Sequence, residues 1–460
     1  MNDRHARATR TRGEQSQDPH ILIIVQNLPV PLDRRVWLEC QALIANGYRV
    51  SVICPKGPGD PSRQLIDGVA IYKYRPAPEA AGLFGFAIEF VYSWIRTFFL
   101  SFAAARRGRF CVIQACNPPD TYWLLAFFWK LAGARFVFDQ HDLNPELFLS
   151  RFGAPTGGVK KAEYRGLLWL ERMTYRVATR VVSTNESYRR VAMTRGRKSP
   201  DEVTVVRSGP DTQAMRPIYP SDPRPDDAIE LVYLGIMGPQ DGVDTCLRVV
   251  DELVHRRGRT NVHATLMGFG DSLGELKELC TQLDLEDRVT FTGRVGKPAI
   301  AQHLSRADIG LCPDLKTPLN DVSTMNKTME YMSYALPSVS FDLVETRVSG
   351  GDSVIYVESG DIGRFADAVE QLMDDPDLRA QMGIRARERV ADVLDWRPQA
   401  RAYVRGFDSL TGRAQRDVVD ANPSRGQTAD DQGNLYVPLT DRGELERFIR
   451  DRRAKSGTLA

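Results

Sequence analysis

The strongest constraint on this chain is an alternation that runs through it twice. Short β-branched runs stand at HILIIVQN (20–27), YRVSVICP (48–55), VAIYKY (69–74), CVIQAC (111–116), RFVFDQ (135–140), TRVVST (179–184) and VTVVRS (203–208), with helix-length segments between most of them. The first of those segments places Val36, Leu38, Cys40, Leu43 and Ile44 at helical spacing and is closed by Gly47. Strand, loop, helix and strand in so short a span form a βαβ unit, which requires a parallel sheet. RPIYPSDPRPDD at 216–227 then puts four prolines in twelve residues, a stiff linker composition. The pattern restarts with IELVYLG, VHATLMG, VTFTG, DIGLCP, PSVSFD and VIYVE, with helices expected at Thr245–Arg256 and Leu273–Leu283. The expected fold class is α/β, with two doubly wound domains facing across a cleft at their carboxyl strand ends. The expected boundaries are a disordered tail over 1–18, a first domain over 19–212, a linker over 213–228 and a second domain over 229–395. A helix over 396–411 is expected to return to the first domain, and 412–460 to be mostly flexible, closed by a short helix at ELERFIRDRR.

The net charge of +2 hides a division. Residues 1–210 hold 30 Lys/Arg and 18 Asp/Glu, whereas 211–460 hold 31 and 41. The first half is therefore basic and suited to an anionic partner. Seven dispersed cysteines, with no CxxC pair, argue against a zinc site or a disulfide scaffold and fit a reducing compartment. The opening residues, MNDRHARATRTRGEQSQD, lack the apolar core of a secretory signal. Phe86–Ala105 has the length of a membrane span but contains Glu89 and Arg96, each expensive at a bilayer centre, so it reads as a single buried or interfacial helix.

Chemistry concentrates at NDVSTMNKTMEYMSYALPSVSF, 320–341. Asn320, Asp321, Ser323 and Thr324 are cap and turn formers, and a helix is expected from about Met325 or Asn326. Its N-terminus offers free N–H groups to an anion, Lys327 adds a charge, and Glu330 follows on the same face, near where ribose hydroxyls of a phosphate ester would lie. The same spacing also suits a plain solvated Lys–Glu pair. MGFGD (267–271) and YLGIMGPQDGVD (233–244) put Gly268, Gly270, Gly235, Gly238 and Gly242 between strands and helices, and Gly293-Arg294 ends a strand at the same cleft. In the first domain, Asp139, His141, Asp142 and Glu146 follow a strand, and Asp33, Arg34 and Arg35 enter the first helix; these are further candidates for phosphate or acceptor contact. No second histidine stands at metal-ligand spacing, so no metal is expected. The chain has no G-x-S-x-G, H-E-x-x-H, Walker A or complete GxGxxG.

Taken in order, LDRRVWLECQALIANGYRVSVICP, FDQHDLNPEL, VVSTNESYRR, VVRSGPD, YLGIMGPQDGVD, MGFGD, VTFTGRV and NKTMEYMSYALPSVS resemble retaining glycosyltransferases of family 4 over about residues 20–410. The resemblance implies two Rossmann-like domains (GT-B), an N-terminal acceptor lobe and a C-terminal nucleotide-sugar lobe. Glu330 matches the second Glu of the family's E-x7-E motif, which holds the ribose. Lys327 matches a diphosphate position, and Gly235 and Gly238 match the turn around the donor phosphates. Gly268, Gly270, Arg294 and Val295 match the base pocket, with Ser323, Thr324 and Asn326 beside the donor, and His141 matches a histidine facing the donor sugar.

Two positions depart from the pattern. The first Glu of the motif would fall at 322, which is valine, with Asp321 or Ser323 as the nearest substitutes. The usual Arg and Lys after the second domain's first strand are replaced by Ile236 and Asp241, which leaves Lys327, the helix N-terminus and Arg34 or Arg35 for the diphosphate. The resemblance further implies no cofactor and no metal, a saccharide or lipid-diphosphate acceptor, and a role in exopolysaccharide, capsule or glycan assembly. A cytoplasmic location follows, with the basic lobe at an anionic inner-membrane face. Other GT-B nucleotide-sugar enzymes, epimerase-like, and two-lobed ligand-binding proteins share the architecture. Nucleic-acid binding lacks a reader motif.

Overall fold

The computed structural model describes residues 18–77, 82–220, 228–414, 417–421 and 426–452. Of the expected tail over 1–18, residues 1–17 lie outside them. Two sheets form, as the alternation requires. The first contains β1 (His20–Ile24), β2 (Arg49–Pro55), β3 (Arg63–Ile66), β4 (Val69–Tyr74), β5 (Phe110–Cys116), β6 (Arg135–Gln140), β7 (Arg180–Ser183) and β8 (Val203–Val205), in the order β3-β4-β2-β1-β5-β6-β7-β8. Every pairing is parallel except β3 with β4, a hairpin turned by Asp67 and Gly68, both at positive φ. The second contains β9 (Ile229–Ile236), β10 (Val262–Phe269), β11 (Val289–Gly293), β12 (Ile309–Cys312), β13 (Ser338–Phe341) and β14 (Val354–Val357), all parallel, in the order β11-β10-β9-β12-β13-β14. The strand order reverses at β1/β5 and at β9/β12, and crevices for ligands open beyond the carboxyl ends at such points.

Each sheet is buried on both faces, which is why its strands read as continuous apolar runs. In β9, Leu231 and Tyr233 join the cluster beneath helix Val243–Asp251, while Val232 joins a second cluster with Tyr331 and Leu336. Helix Trp396–Thr411 crosses back to the first lobe. Trp396, Tyr403 and Phe407 pack with Val36, Leu43 and Val50, and Tyr403 donates to Gln114 at 2.6 Å.

Two expectations need correction. The segment 412–460, expected to be mostly flexible, is anchored over much of its described length: Val437, Leu445, Phe448 and Ile449 pack against Ala335, Ala380 and Ile384 of the second lobe, and helix Arg442–Arg450 carries three of those four. The linker, although rich in proline, is pinned at its start, because Ile218 is fully buried and pairs with Tyr436, and Tyr219 donates its N–H to Leu435. Residues 221–227 of the linker lie outside the described residues.

Candidate active site

A cavity of about 1600 Å³ opens between the facing strand ends of the two sheets. Of the expected residues, Asp33, Arg34, Arg35, His141, Asp142, Arg294, Ser323, Thr324, Asn326 and Glu330 line it; Gly235, Gly238, Gly268, Gly270, Val295 and Lys327 do not.

On the second lobe, helix Asn326–Ser333 points its first turn at the cavity. Its cap residue, Met325, supplies no side-chain acceptor. Ser323 and Thr324, expected as caps, bond across the cleft instead: the Ser323 hydroxyl lies 2.8 Å from the Tyr188 hydroxyl, and Asn185 donates to Thr324 Oγ1 at 3.0 Å and to the Val322 carbonyl at 2.9 Å. The Val322 side chain packs with Leu143, Tyr188 and Leu319. The position expected for a donor-binding carboxylate is thus an apolar contact between the lobes. Asp321 turns away, accepting the Val344 N–H at 3.0 Å, so Ser323 is the substitute that faces the cavity.

The expected Lys327–Glu330 pair does not form. Lys327 is buried, with Nζ 2.5 Å from Asp314 Oδ1 and 5.2 Å from the Tyr233 ring centroid. Burial alone would disfavour its charge, but the Asp314 and Asp241 carboxylates outweigh that and raise its pKa. Glu330 instead receives Arg34 Nη1 from the other lobe at 2.5 Å.

The glycines serve close backbone approach. Gly235 and Gly268 are partners in the β9–β10 ladder, and a Cβ on Gly268 would fall 1.9 Å from the Gly235 carbonyl oxygen. Gly270, at φ +155°, leaves no room beside the Met237 backbone. Gly238 donates its N–H to Asp241 at 2.9 Å, so the acid that replaces the expected basic residue closes this turn. Burial lifts the Asp241 pKa to about 6, Asp314 pushing the same way and Lys327 opposing. Arg294 lies over the Phe269 ring, 5.1 Å from its centroid, and Val295 packs into the cluster around Tyr331.

On the first lobe, a buried charge cluster fixes His141. Asp139, fully buried at the end of β6, accepts from Arg35 Nη2 at 2.9 Å, from Gln114 Nε2 at 3.0 Å, and lies 2.8 Å from His141 Nε2. Arg35 Nε is 3.2 Å from that same ring nitrogen and 3.2 Å from Glu39 Oε1. One nitrogen cannot both donate to Asp139 and accept from Arg35, and the shorter contact assigns the proton to Nε2. Burial works against a charged His141, yet Asp139 outweighs it and raises the pKa. Burial and Asp139 push Glu39 up to about 8. Asn117 accepts the backbone N–H of His141 at 2.7 Å and of Asp142 at 3.2 Å, and donates to Asp120 at 3.1 Å, fixing the loop after β6. Asp33 caps the helix that begins at Arg34 by accepting the Val36 N–H at 3.1 Å.

Sequence reading passed over Asp139 as the anchor of His141, although it stands two residues earlier, and passed over Asn117 and Asp120 entirely. It also missed that the extension reaches the cavity through Gln427, Asp430, Asp431 and Tyr436. Cys116, Asp139 and His141 bring possible ligand atoms within 4.8 Å of one another. Arg35 already supplies the positive charge there, so the group does not suit a cation.

Two facing α/β lobes with a cleft between their strand ends are shared by several classes of enzyme and binding protein, and comparison with known proteins narrows the choice. The family model described as Glycosyl transferase 4-like domain matches residues 32–209, and that described as Glycosyl transferases group 1 matches residues 228–375. An alpha-D-kanosaminyltransferase of Streptomyces kanamyceticus is 30% identical over 178 residues, which is 38% of this chain and 44% of that protein, so the match spans less than half of that relative. Sucrose-phosphate synthase from Thermosynechococcus elongatus superposes with a TM-score of 0.68 at 16% identity, covering 86% of this chain and 99% of that one. Anabaena HepE in complex with UDP-glucose gives 0.62 at 15% identity, covering 85% and 99%. The two models match one lobe each, and the chain belongs to the 4-like glycosyltransferases by sequence and to the GT-B fold by structure.

Proposed function

We propose that this enzyme moves a sugar, with retention, from a nucleotide-diphosphate sugar to a saccharide or lipid-linked acceptor in exopolysaccharide, capsule or related glycan assembly. The carrying observation is the cavity itself, where the uncapped start of helix Asn326–Ser333 and Glu330 face His141 across the cleft. The ribose is assigned to Glu330, the diphosphate to the first-turn N–H groups, and the acceptor to the side of the first lobe. HepE, of the same fold, binds UDP-glucose, which supports the ligand class. As the bond from the anomeric carbon to the phosphate oxygen breaks, negative charge grows on the departing diphosphate, and preorganised N–H groups stabilise it more in the transition state than before. The acceptor oxygen attacks from the same face, and its proton passes to the departing phosphate oxygen. His141, tethered through Nε2, orients the donor sugar and is not the nucleophile. Transfer without a metal is part of this proposal; the commitment of Asp139 to Arg35 supports it.

A thermal-shift screen against nucleoside diphosphates and their sugars tests the donor site. A nucleotide should stabilise the wild type and lose that effect in Glu330→Ala. Equal stabilisation of both refutes the assignment.

The same proposal places the first lobe against an anionic membrane surface, on the cytoplasmic side. No helix among the described residues is long and apolar enough to cross a membrane. Helix Gly82–Ala105 is instead apolar on both sides, with Trp94, Phe98 and Ala104 packed on the core. Ser93, Thr97 and Ser101 face the protein, whereas Ile88, Val91, Ile95 and Phe99 form an outward stripe, Phe99 being 67% exposed. Ring contacts from Phe98 and Phe102 to Phe128 carry the patch onto helix Trp123–Leu131. Arg96, Arg106, Arg107 and Arg109 are exposed on the same helix and just after it, and an apolar stripe beside basic residues fits the boundary of an anionic bilayer.

A further inference from the structure

The ion pair between Arg34 and Glu330 puts a cation from one lobe on the carboxylate assigned to the ribose in the other. Two of the cations nearest the helix are committed, whereas Arg294 and Lys297 line the same cavity farther along the second lobe. Lys327 is neutralised by Asp314 at 2.5 Å, with Asp241 close enough to raise its pKa further. Arg35 is spent on Asp139 at 2.9 Å, on the Val206 carbonyl at 2.8 Å and on Ser208 at 3.1 Å. The basic residues usual after β9 are absent, Ile236 and Asp241 standing there. Arg34 differs from these. It is partly exposed to the cavity, its remaining contact is a weak one to Met215 Sδ at 3.4 Å, and its carboxylate partner is the group that a donor would claim.

Glu330 follows Asn326 by one helical turn, so a ribose on Glu330 would lie about 6 Å along the helix from a diphosphate at the first-turn N–H groups. An arginine side chain displaced from the carboxylate can pivot over that distance without moving its backbone. A guanidinium also offers a forked set of donors that matches two phosphate oxygens.

Resting on the donor-site reading above, we infer that Arg34 is handed over on donor binding. In the empty enzyme it occupies Glu330 and ties the lobes together. When the ribose hydroxyls take Glu330, the guanidinium transfers to the diphosphate and supplies a cation at the start of helix Asn326–Ser333, where Lys327 is held by Asp314. Arg34 therefore opposes the nucleoside and favours the diphosphate within one ligand.

These opposite signs make the experiment. Wild type, Arg34→Ala and Arg34→Lys are titrated with three matched pairs, uridine and UDP, adenosine and ADP, guanosine and GDP, and the pair whose diphosphate binds the wild type most tightly is compared in full. Melting curves check that the variants fold. Arg34→Ala should weaken the diphosphate by about tenfold or more, the loss of one charge-assisted contact, while the nucleoside binds as well as before or more tightly. Arg34→Lys should restore part of the diphosphate affinity. If Arg34→Ala tightens both ligands alike, Arg34 is a latch only; if it weakens both alike, its role is structural; either result overturns the hand-over and leaves the donor site standing. A wild type that binds none of the diphosphates, or a Glu330→Ala variant that binds them unchanged, overturns the donor site and this inference with it.

Discussion

Replacing Asp139 by asparagine tests whether the first lobe's chemistry rests on a buried charge network. The carboxylate meets donors on both sides: Arg35 at 2.9 Å on Oδ1, and Gln114 at 3.0 Å and His141 at 2.8 Å on Oδ2. An asparagine must turn an N–H2 toward one of those sides, where it meets only donors, and it leaves Arg35 buried without its main counter-charge. Breaking one partner out of a buried pair costs about 3–5 kcal/mol. Part of that is recovered here. The Asp139 charge helps hold Glu39 protonated, so its removal lets Glu39 ionise 3.2 Å from Arg35 Nε and take over some of the neutralisation.

The net loss should therefore sit near the low end, about 3 kcal/mol, or about 6–12 °C in melting temperature for a domain of this size. The double variant with Glu39→Gln cannot use that rescue, so it should fall below the sum of the single variants by more than about 1 kcal/mol. Histidine titration by NMR gives a second readout. Once Asp139 is neutral, burial and Arg35 are opposed only by Asp33 and the newly ionised Glu39, so the His141 pKa should fall from its raised position. Near-wild-type melting together with an unmoved His141 titration would refute the network.

Three further outcomes follow from the same geometry. Burial and Asp139 hold Glu39 at about 8 against an ordinary 4.5, so the folded chain keeps a proton that the unfolded chain releases, and this group's contribution makes stability fall as pH rises across that window; Glu39→Gln should flatten the slope of melting temperature against pH, and an unchanged slope sinks the assignment. The enzyme should sediment with anionic vesicles at low salt and release at high salt, Ile95→Asp with Phe99→Asp should abolish binding without lowering the melting temperature, and indifference to anionic vesicles at low salt would show the membrane face to be wrong. Val322→Glu, which restores the expected first carboxylate, should destabilise by about 1–3 kcal/mol without raising activity, since the side chain would enter the apolar contact with Leu143, Tyr188 and Leu319; a more active variant of unchanged stability would contradict that placement.

The two sheets were legible because parallel strands buried on both faces leave unbroken β-branched runs, and the proline cluster marked the break between them. The edge strand β3 was not, although Asp67-Gly68 is a hairpin signal, because Arg63–Ile66 is only partly buried and lacks an apolar run. The extension was misread because its anchors are sparse in a polar sequence and gain meaning only from Ile218 and Ala335, far along the chain. In the site, residue types were legible and pairings were not. Lys327 and Glu330 suit each other by helical spacing, but Asp314 reaches Lys327 from the loop after β12, and Arg34 reaches Glu330 from 296 residues away. Local spacing cannot rank a partner three residues away against one brought in by tertiary folding.

Apart from the largely buried Arg207–Glu345 ion pair, two of the contacts across the cleft differ in kind, and the difference bears on how the enzyme opens. Around Val322 they are apolar packing and neutral hydrogen bonds, with Asn185 both capping its own helix through the Tyr188 N–H at 2.8 Å and holding the opposite lobe. The Val322 packing and the bond from Asn185 to the Val322 carbonyl use no group assigned to the donor, although Ser323 and Thr324 beside them line the cavity. The Arg34–Glu330 contact is a single ion pair inside the cavity, neither side chain being fully enclosed, so ligand hydroxyls can compete for Glu330. The lobes are therefore held at one place by contacts that the reaction does not touch and at another by a contact that the donor would replace. Such an arrangement lets the cavity admit a nucleotide-sugar by exchanging one side chain while the interface around Val322 keeps His141 and the helix N-terminus opposed.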